Sequence, residues 1–96
     1  MTGGVSLDAD RLATAVRARP LVAGLHGGRF GEIATYLPGR RIAGVRIRPD
    51  AITIGVTGRY PATAAEIDAD VRAALGPVDR PVHVRIGDVE AAPTTR

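Results

Sequence analysis

The 96-residue sequence contains no Cys and no Trp, one Met, one Phe and two Tyr. Lys, Asn and Gln are also absent, and Ser6 is the only serine. Without cysteine there are no disulfides and no thiolate metal sites. Without lysine there is no phosphate-loop signature, no Schiff base and no lysine general base. Ser6 stands where helix capping explains it, which sets serine nucleophile chemistry aside. So few aromatics mean an aliphatic core of Val, Ile, Leu and Ala, a kind that encloses little pocket. No apolar run approaches the roughly 18 residues of a membrane span. No basic-then-apolar leader is visible either, so the expected location is the cytoplasm.

What the chain does contain is arginine. All 13 basic residues are Arg, set among 10 carboxylates for a net charge of +3. The sequence pI of about 10.5 reflects the high pKa of arginine as much as any basic patch. Arg, Ala, Gly and Pro all have GC-rich codons, so genome composition is a sufficient reason for this usage. Nucleic-acid binding is permitted by this balance but not indicated. The length suits one domain, residues 1–96, with a core at about 7–89 and flexible ends at 1–5 and 91–96.

The firmest structural signal is Arg41 to Tyr60, which reads as two strands reversing at Arg48-Pro49-Asp50-Ala51. Proline presets φ at the second turn position, and Asp tolerates turn geometry. Pairing Ile47 with Ile52 sets Val45 opposite Ile54 and Ala43 opposite Val56, an apolar face. Arg46 then meets Thr53, and Gly44 meets Gly55, on the other face. Side chains alternate along a strand, so a one-residue slip would destroy this match.

Before the hairpin, Ser6 is the expected N-cap, with Asp8 and Asp10 in the first turn where carboxylates complement the helix dipole. Ala9, Leu12, Ala13 and Val16 recur at helical spacing, and Pro20 interrupts them. Leu21, Val22 and Leu25 suggest a resumed turn, hence a kinked helix over 7–25 or two short ones, ended by His26-Gly27-Gly28. Residues 30–37 fit both periods. Their Thr, Tyr and Ile favour an antiparallel strand at 32–37, followed by a Pro38-Gly39 turn. After Tyr60-Pro61, Thr63 and Glu66 form a T-x-x-E capping box, and Ala64, Ile67, Val71, Ala74 and Leu75 make one apolar helix face. Gly76-Pro77 stops this helix. Val82, Val84 and Ile86 then alternate inward in a final strand. The predicted fold is α+β, a two-layer sandwich in the order α-β-β-β-α-β, with a mainly antiparallel sheet and both helices on one face.

Candidates for chemistry are sparse. His26 lies near Glu32 in sequence, but a metal site wants three or four convergent ligands, and no spacing supplies them. His83 should point outward as a surface histidine. No catalytic residue, cofactor or metal is therefore expected. Gly28-Arg29-Phe30-Gly31 matches the GXXG loop with which KH domains clamp a nucleic-acid backbone, although a KH loop joins two helices. This small nucleic-acid-binding domain is the alternative function. The more informative feature is the sheet side away from the helices, where Arg46, Arg48, Thr53, Thr57, Arg59, His83 and Arg85 should be displayed with no carboxylate among them. Guanidinium forks suit carboxylates or phosphates. Glu66, Asp68 and Asp70 gather on the second helix. A head-to-tail contact between these two surfaces would give weak, salt-sensitive self-association.

The order of motifs resembles the alkaline-shock, or Gls-type, envelope stress response family. The matching segments are Leu21-Val22-Ala23-Gly24-Leu25 before the glycines, Gly44-Val45-Arg46-Ile47 opening the hairpin, Arg59-Tyr60-Pro61 leading into a helix, and Val82-His83-Val84-Arg85-Ile86-Gly87-Asp88-Val89 near the end. They span roughly residues 9 to 89, and it is their order and spacing that is similar. The compact form resembles a small actinobacterial-type branch. The resemblance implies a non-enzymatic cytoplasmic protein of envelope homeostasis that acts through protein–protein contacts. It further implies tethering beneath the membrane by a small membrane-anchored protein partner, and self-assembly. The chain departs from the pattern at Pro20 and Leu21 and lacks the family's Lys- and Glu-rich tails.

Overall fold

The computed structural model describes residues 8–91. The fold is α+β, with mainly antiparallel strands. Its order is α1 (Ala9–Arg17), β1 (Val22–Leu25), β2 (Ala34–Leu37), β3 (Arg40–Ala43), β4 (Val45–Arg48), β5 (Ala51–Arg59), α2 (Ala64–Leu75) and β6 (Val82–Glu90). Ser6 and almost all of the ends expected to be flexible lie outside the described residues.

Strand β5 is the axis of the sheet. One of its sides pairs in parallel with β6 along nearly its whole length. The other side is shared, β4 taking the first half and β1 the second, both antiparallel. The β4–β5 register is the expected one, with Val45 opposite Ile54, Arg46 opposite Thr53 and Ile47 opposite Ile52. Ala43 does not continue it to Val56. The chain turns at Gly44, whose φ is +90°, and Leu25 of β1 takes the position beside Val56. A Cβ at Gly44 would lie 2.7 Å from that of Leu25, so both backbone angle and space demand glycine. Gly55 N–H still reaches the Gly44 carbonyl at 2.9 Å.

The expected helical turn over 21–25 is instead β1, which makes the order α-β-β-β-β-β-α-β. Asp8 caps α1, accepting from Asp10 N–H at 3.0 Å, and the helix ends at Arg17. Pro20 cannot donate back into it. Beyond the end of β4, β5 has an open row of donors and acceptors, and Val22, Gly24 and Leu25 complete it. The segment 32–37 is a strand at its C-terminal part, but β2 pairs with β3 in a separate two-stranded ribbon. The anticipated first hairpin strand is thus two short strands broken at Gly44.

Ala9, Ala13 and Val16 of α1 and Ile67 and Val71 of α2 form one buried cluster with Val22, Val45, Ile52, Ile54 and Val56. Complete burial of each Ile or Val contributes about 1.5–3 kcal/mol. Gly58 follows these residues on β5 and leaves room for Ile67, whose Cδ1 a side chain there would strike. Helix α2 is tied to the segment that follows α1 by a long-range pair. Asp70 of α2, 9 % exposed, meets Arg19 at 2.7 Å and accepts the Leu21 N–H at 3.0 Å. The capping box of α2 is present in both directions, Glu66 N–H to Thr63 Oγ1 at 3.1 Å and Thr63 N–H to Glu66 Oε1 at 2.8 Å.

Candidate interaction surface

Residues of β5 alternate sides, so Thr53, Gly55, Thr57 and Arg59 face away from the cluster that holds Ile52, Ile54 and Val56. This surface is only partly open. The chain between β1 and β2 crosses it, and Ile33, 2 % exposed, seats its Cδ1 where a Cβ on Gly55 would be 3.0 Å away. The His26 carbonyl lies closer still to that position. Thr53 is 5 % exposed beneath this crossing. Arg46 is half-buried beside it, Nη1 donating to the Glu32 carbonyl at 3.3 Å and Nη2 reaching Thr53 Oγ1 at 3.5 Å.

The seven residues expected on one displayed face therefore divide. Arg46 and Thr53 belong to a second, small packing layer. Arg48, Arg59, His83 and Arg85 are exposed and Thr57 is half-buried. The surface also carries carboxylates, contrary to the expectation of none. Gly87 is an extra residue in β6, a bulge beyond which Asp88 lies beside Thr57 and Glu90 beside Arg59. Glu32 faces Arg85 and Arg46, and its carboxyl is held below the usual range by hydrogen bonds from its own N–H and that of Phe30, against some desolvation. A lone glycine after alternating Val82, Val84 and Ile86 is the signal that could have announced this bulge.

The acidic surface expected to dock there is already engaged within the chain. Asp68 pairs with Arg72 at 2.8 Å, Asp70 is bound to Arg19 and Leu21, and Glu66 closes the capping box. A head-to-tail contact built on these charges loses its acidic half.

Gly28, Arg29, Phe30 and Gly31 form a tight turn, with φ of +87° and +73° at the two glycines and Gly31 N–H donating to Gly28 O at 3.2 Å. Arg29 stacks on the exposed Phe30 ring at 5.5 Å. The turn joins strands β1 and β2 rather than two helices, so the KH context is not met. Between it and β6 runs a groove of about 320 Å³, with His26, Arg29 and Glu32 on one wall and Arg85 and Gly87 on the other. His26 lies flat on the bulge, since a Cβ on Gly87 would come within 2.5 Å of its Nδ1. That Nδ1 accepts the Gly28 N–H at 3.0 Å, which leaves Nε2 as the proton-bearing nitrogen of the neutral ring. His26 thus clamps the turn onto β6, a role invisible in the sequence.

The remaining surface feature is the outer edge of β6. Pro81 O and Glu90 O accept from Ile52 and Tyr60 of the β5 side, at 2.9 Å each. With Gly87 as the extra residue, His83, Arg85, Asp88 and Glu90 direct their backbone groups to β5, and Val82, Val84, Ile86 and Val89 direct theirs outward. Among the described residues no strand pairs with that outer edge. Val89 is 46 % exposed beside it.

Comparison with protein-family models, with curated proteins and with solved structures gives no match. No described helix is long and apolar enough to cross a membrane.

Proposed function

We propose that the chain is a non-enzymatic interaction protein of the cell-envelope stress response, working in the cytoplasm through its sheet. The observation that carries this reading is the nine-residue strand β6, which pairs with β5 at every residue but Gly87, while no strand among the described residues pairs with its other edge. An exposed strand edge offers main-chain hydrogen bonds to a partner strand, with alternate side chains giving specificity. Exposed Val89 beside the edge, together with exposed Phe30 and Tyr60, supports contact with protein. The similarity in order and spacing to the alkaline-shock family supplies the envelope context, with a membrane-anchored protein as a separate tether that would place the chain peripherally at the membrane.

The test is genetic. A strain lacking the chain should survive alkaline or cell-wall stress less well than its parent, and the wild-type chain should restore survival. Val84→Pro should not restore it, because proline removes an outward N–H and blocks strand addition while leaving the bonds to β5. Equal survival of the deletion strain would overturn the envelope reading. Full rescue by a folded Val84→Pro chain would overturn the sheet-edge reading.

A further inference from the structure

We propose that the partner of the β6 edge is the β6 edge of a second copy, paired antiparallel about a two-fold axis at Ile86, with the bulged Gly87 of each copy left unpaired. This deepens the interaction reading above and rests on it. In that pairing Arg85 lies opposite Asp88 of the second copy, His83 opposite Glu90, and Val84 opposite Val89. Every charged residue meets an opposite or titratable partner, and the two valines meet each other.

The Gly87 bulge is what makes this register workable. Arg85 and Asp88 are three apart, which in a regular strand places their side chains on opposite faces. The bulge shifts the phase, so His83, Arg85, Asp88 and Glu90 share the face that carries Thr53 and Thr57, and Val84 and Val89 share the face of Ile54 and Gly58. Directly opposite residues of an antiparallel pair must share a face, and in each of these three pairs they do. The backbone agrees as well. Val84 and Val89 both direct N–H and C=O outward, so they would form a doubly hydrogen-bonded pair, repeated by symmetry. Arg85 and Asp88 both direct theirs to β5 and would form the close, non-hydrogen-bonded pair in between.

The ends of the edge limit the contact to this stretch. Arg72 Nη2 of α2 donates to the Val82 carbonyl at 2.9 Å and closes the edge there. In the single chain the Val89 N–H is held by the Asp88 carboxylate at 2.8 Å. On pairing, that N–H transfers to Val84 O of the second copy, and the carboxylate turns to the opposing Arg85. The exchange replaces one hydrogen bond with others, so the dimer is modest in affinity and weakens with salt. The contact is isologous and closes on itself, unlike a head-to-tail chain. The two sheets become one continuous sheet with both helix layers on the same side.

Sedimentation at rising protein concentration tests it on four full-length chains, each checked for folding by circular dichroism. These are wild type, Arg85→Asp, Asp88→Arg, and the double variant carrying both. Wild type should form dimers and no larger species. Each single variant sets like charges opposite each other twice per dimer and should weaken association about tenfold or more. The double variant restores opposite charges and should recover wild-type association. Either of two results overturns the pairing: wild type monomeric throughout, or a dimer that the single variants leave intact. A double variant as weak as the singles would overturn it too, because the charges would then not face each other. None of these outcomes bears on stress survival, so the envelope reading stands or falls separately.

Discussion

Gly55→Ala should be among the most damaging single-methyl additions in this protein. The added Cβ would press against the His26 carbonyl oxygen and lie 3.0 Å from Ile33 Cδ1. Neither neighbour yields cheaply. His26 N–H donates to the Gly55 carbonyl at 2.8 Å, so displacing His26 stretches the bond that fixes it. Ile33 is 2 % exposed, so moving it disturbs a side chain that is already packed. Overpacking of this kind costs about 1–3 kcal/mol, and a weakened hydrogen bond adds about 1 kcal/mol. The expected loss is therefore about 2–4 kcal/mol, which for a domain of this size lowers the thermal midpoint by roughly 8–30 °C. Gly24→Ala is the control, because nothing lies within 4 Å of its would-be Cβ. Circular dichroism melts of the two variants and wild type make the comparison. A Gly55→Ala midpoint equal to that of Gly24→Ala would show that the 26–33 segment does not pack on the sheet over half-buried Arg46 and buried Thr53.

Thr63→Ala removes the acceptor of the Glu66 N–H and should cost about 0.5–2 kcal/mol by urea denaturation, an unchanged midpoint counting against the capping role. Asp70 gives a pH dependence. Burial pushes its carboxyl up, but hydrogen bonds from Arg19 and the Leu21 N–H, with the Arg19 charge, pull it further down. A depressed folded value contributes stability that is present above the unfolded value, near 4, and lost as pH falls through the folded one. Asp70→Asn should therefore be less stable than wild type at neutral pH, with the gap narrowing below about pH 4, and a gap constant across that range would refute the assignment. Ile33→Ala should cost about 2–5 kcal/mol although Ile33 lies outside the main cluster, and a change below about 0.5 kcal/mol would show that the second packing layer carries no weight.

The parts of the fold legible in the sequence are those fixed by neighbours in the chain. The β4–β5 register follows from strict alternation on both sides of a Pro-Asp turn, and the start of α2 follows from Thr63 and Glu66, three residues apart. Strand β1 was not legible because Leu21, Val22 and Leu25 satisfy a helical period. What decides them is the unpaired second half of β5, more than thirty residues away in sequence. The interaction surface was half legible for the same reason. Arginine and threonine positions on β4 and β5 follow from alternation, but their covering by Ile33 depends on where a loop rich in glycine crosses the sheet. The phase of Asp88 and Glu90 depends on one bulged residue. Gly87 could have suggested it, but only the pairing with β5 sets where the extra residue falls.

Amide hydrogen exchange along β6 tests the central claim most directly, because it reads each backbone group separately. His83, Arg85, Asp88 and Glu90 amides should exchange slowly at every protein concentration, as donors toward β5. The Val84 and Val89 amides should exchange quickly in dilute solution and gain protection together as concentration rises. Val84 and Val89 rates that do not change with concentration would contradict the pairing of two β6 edges. Fast exchange at His83 and Arg85 would contradict the orientation of the strand itself.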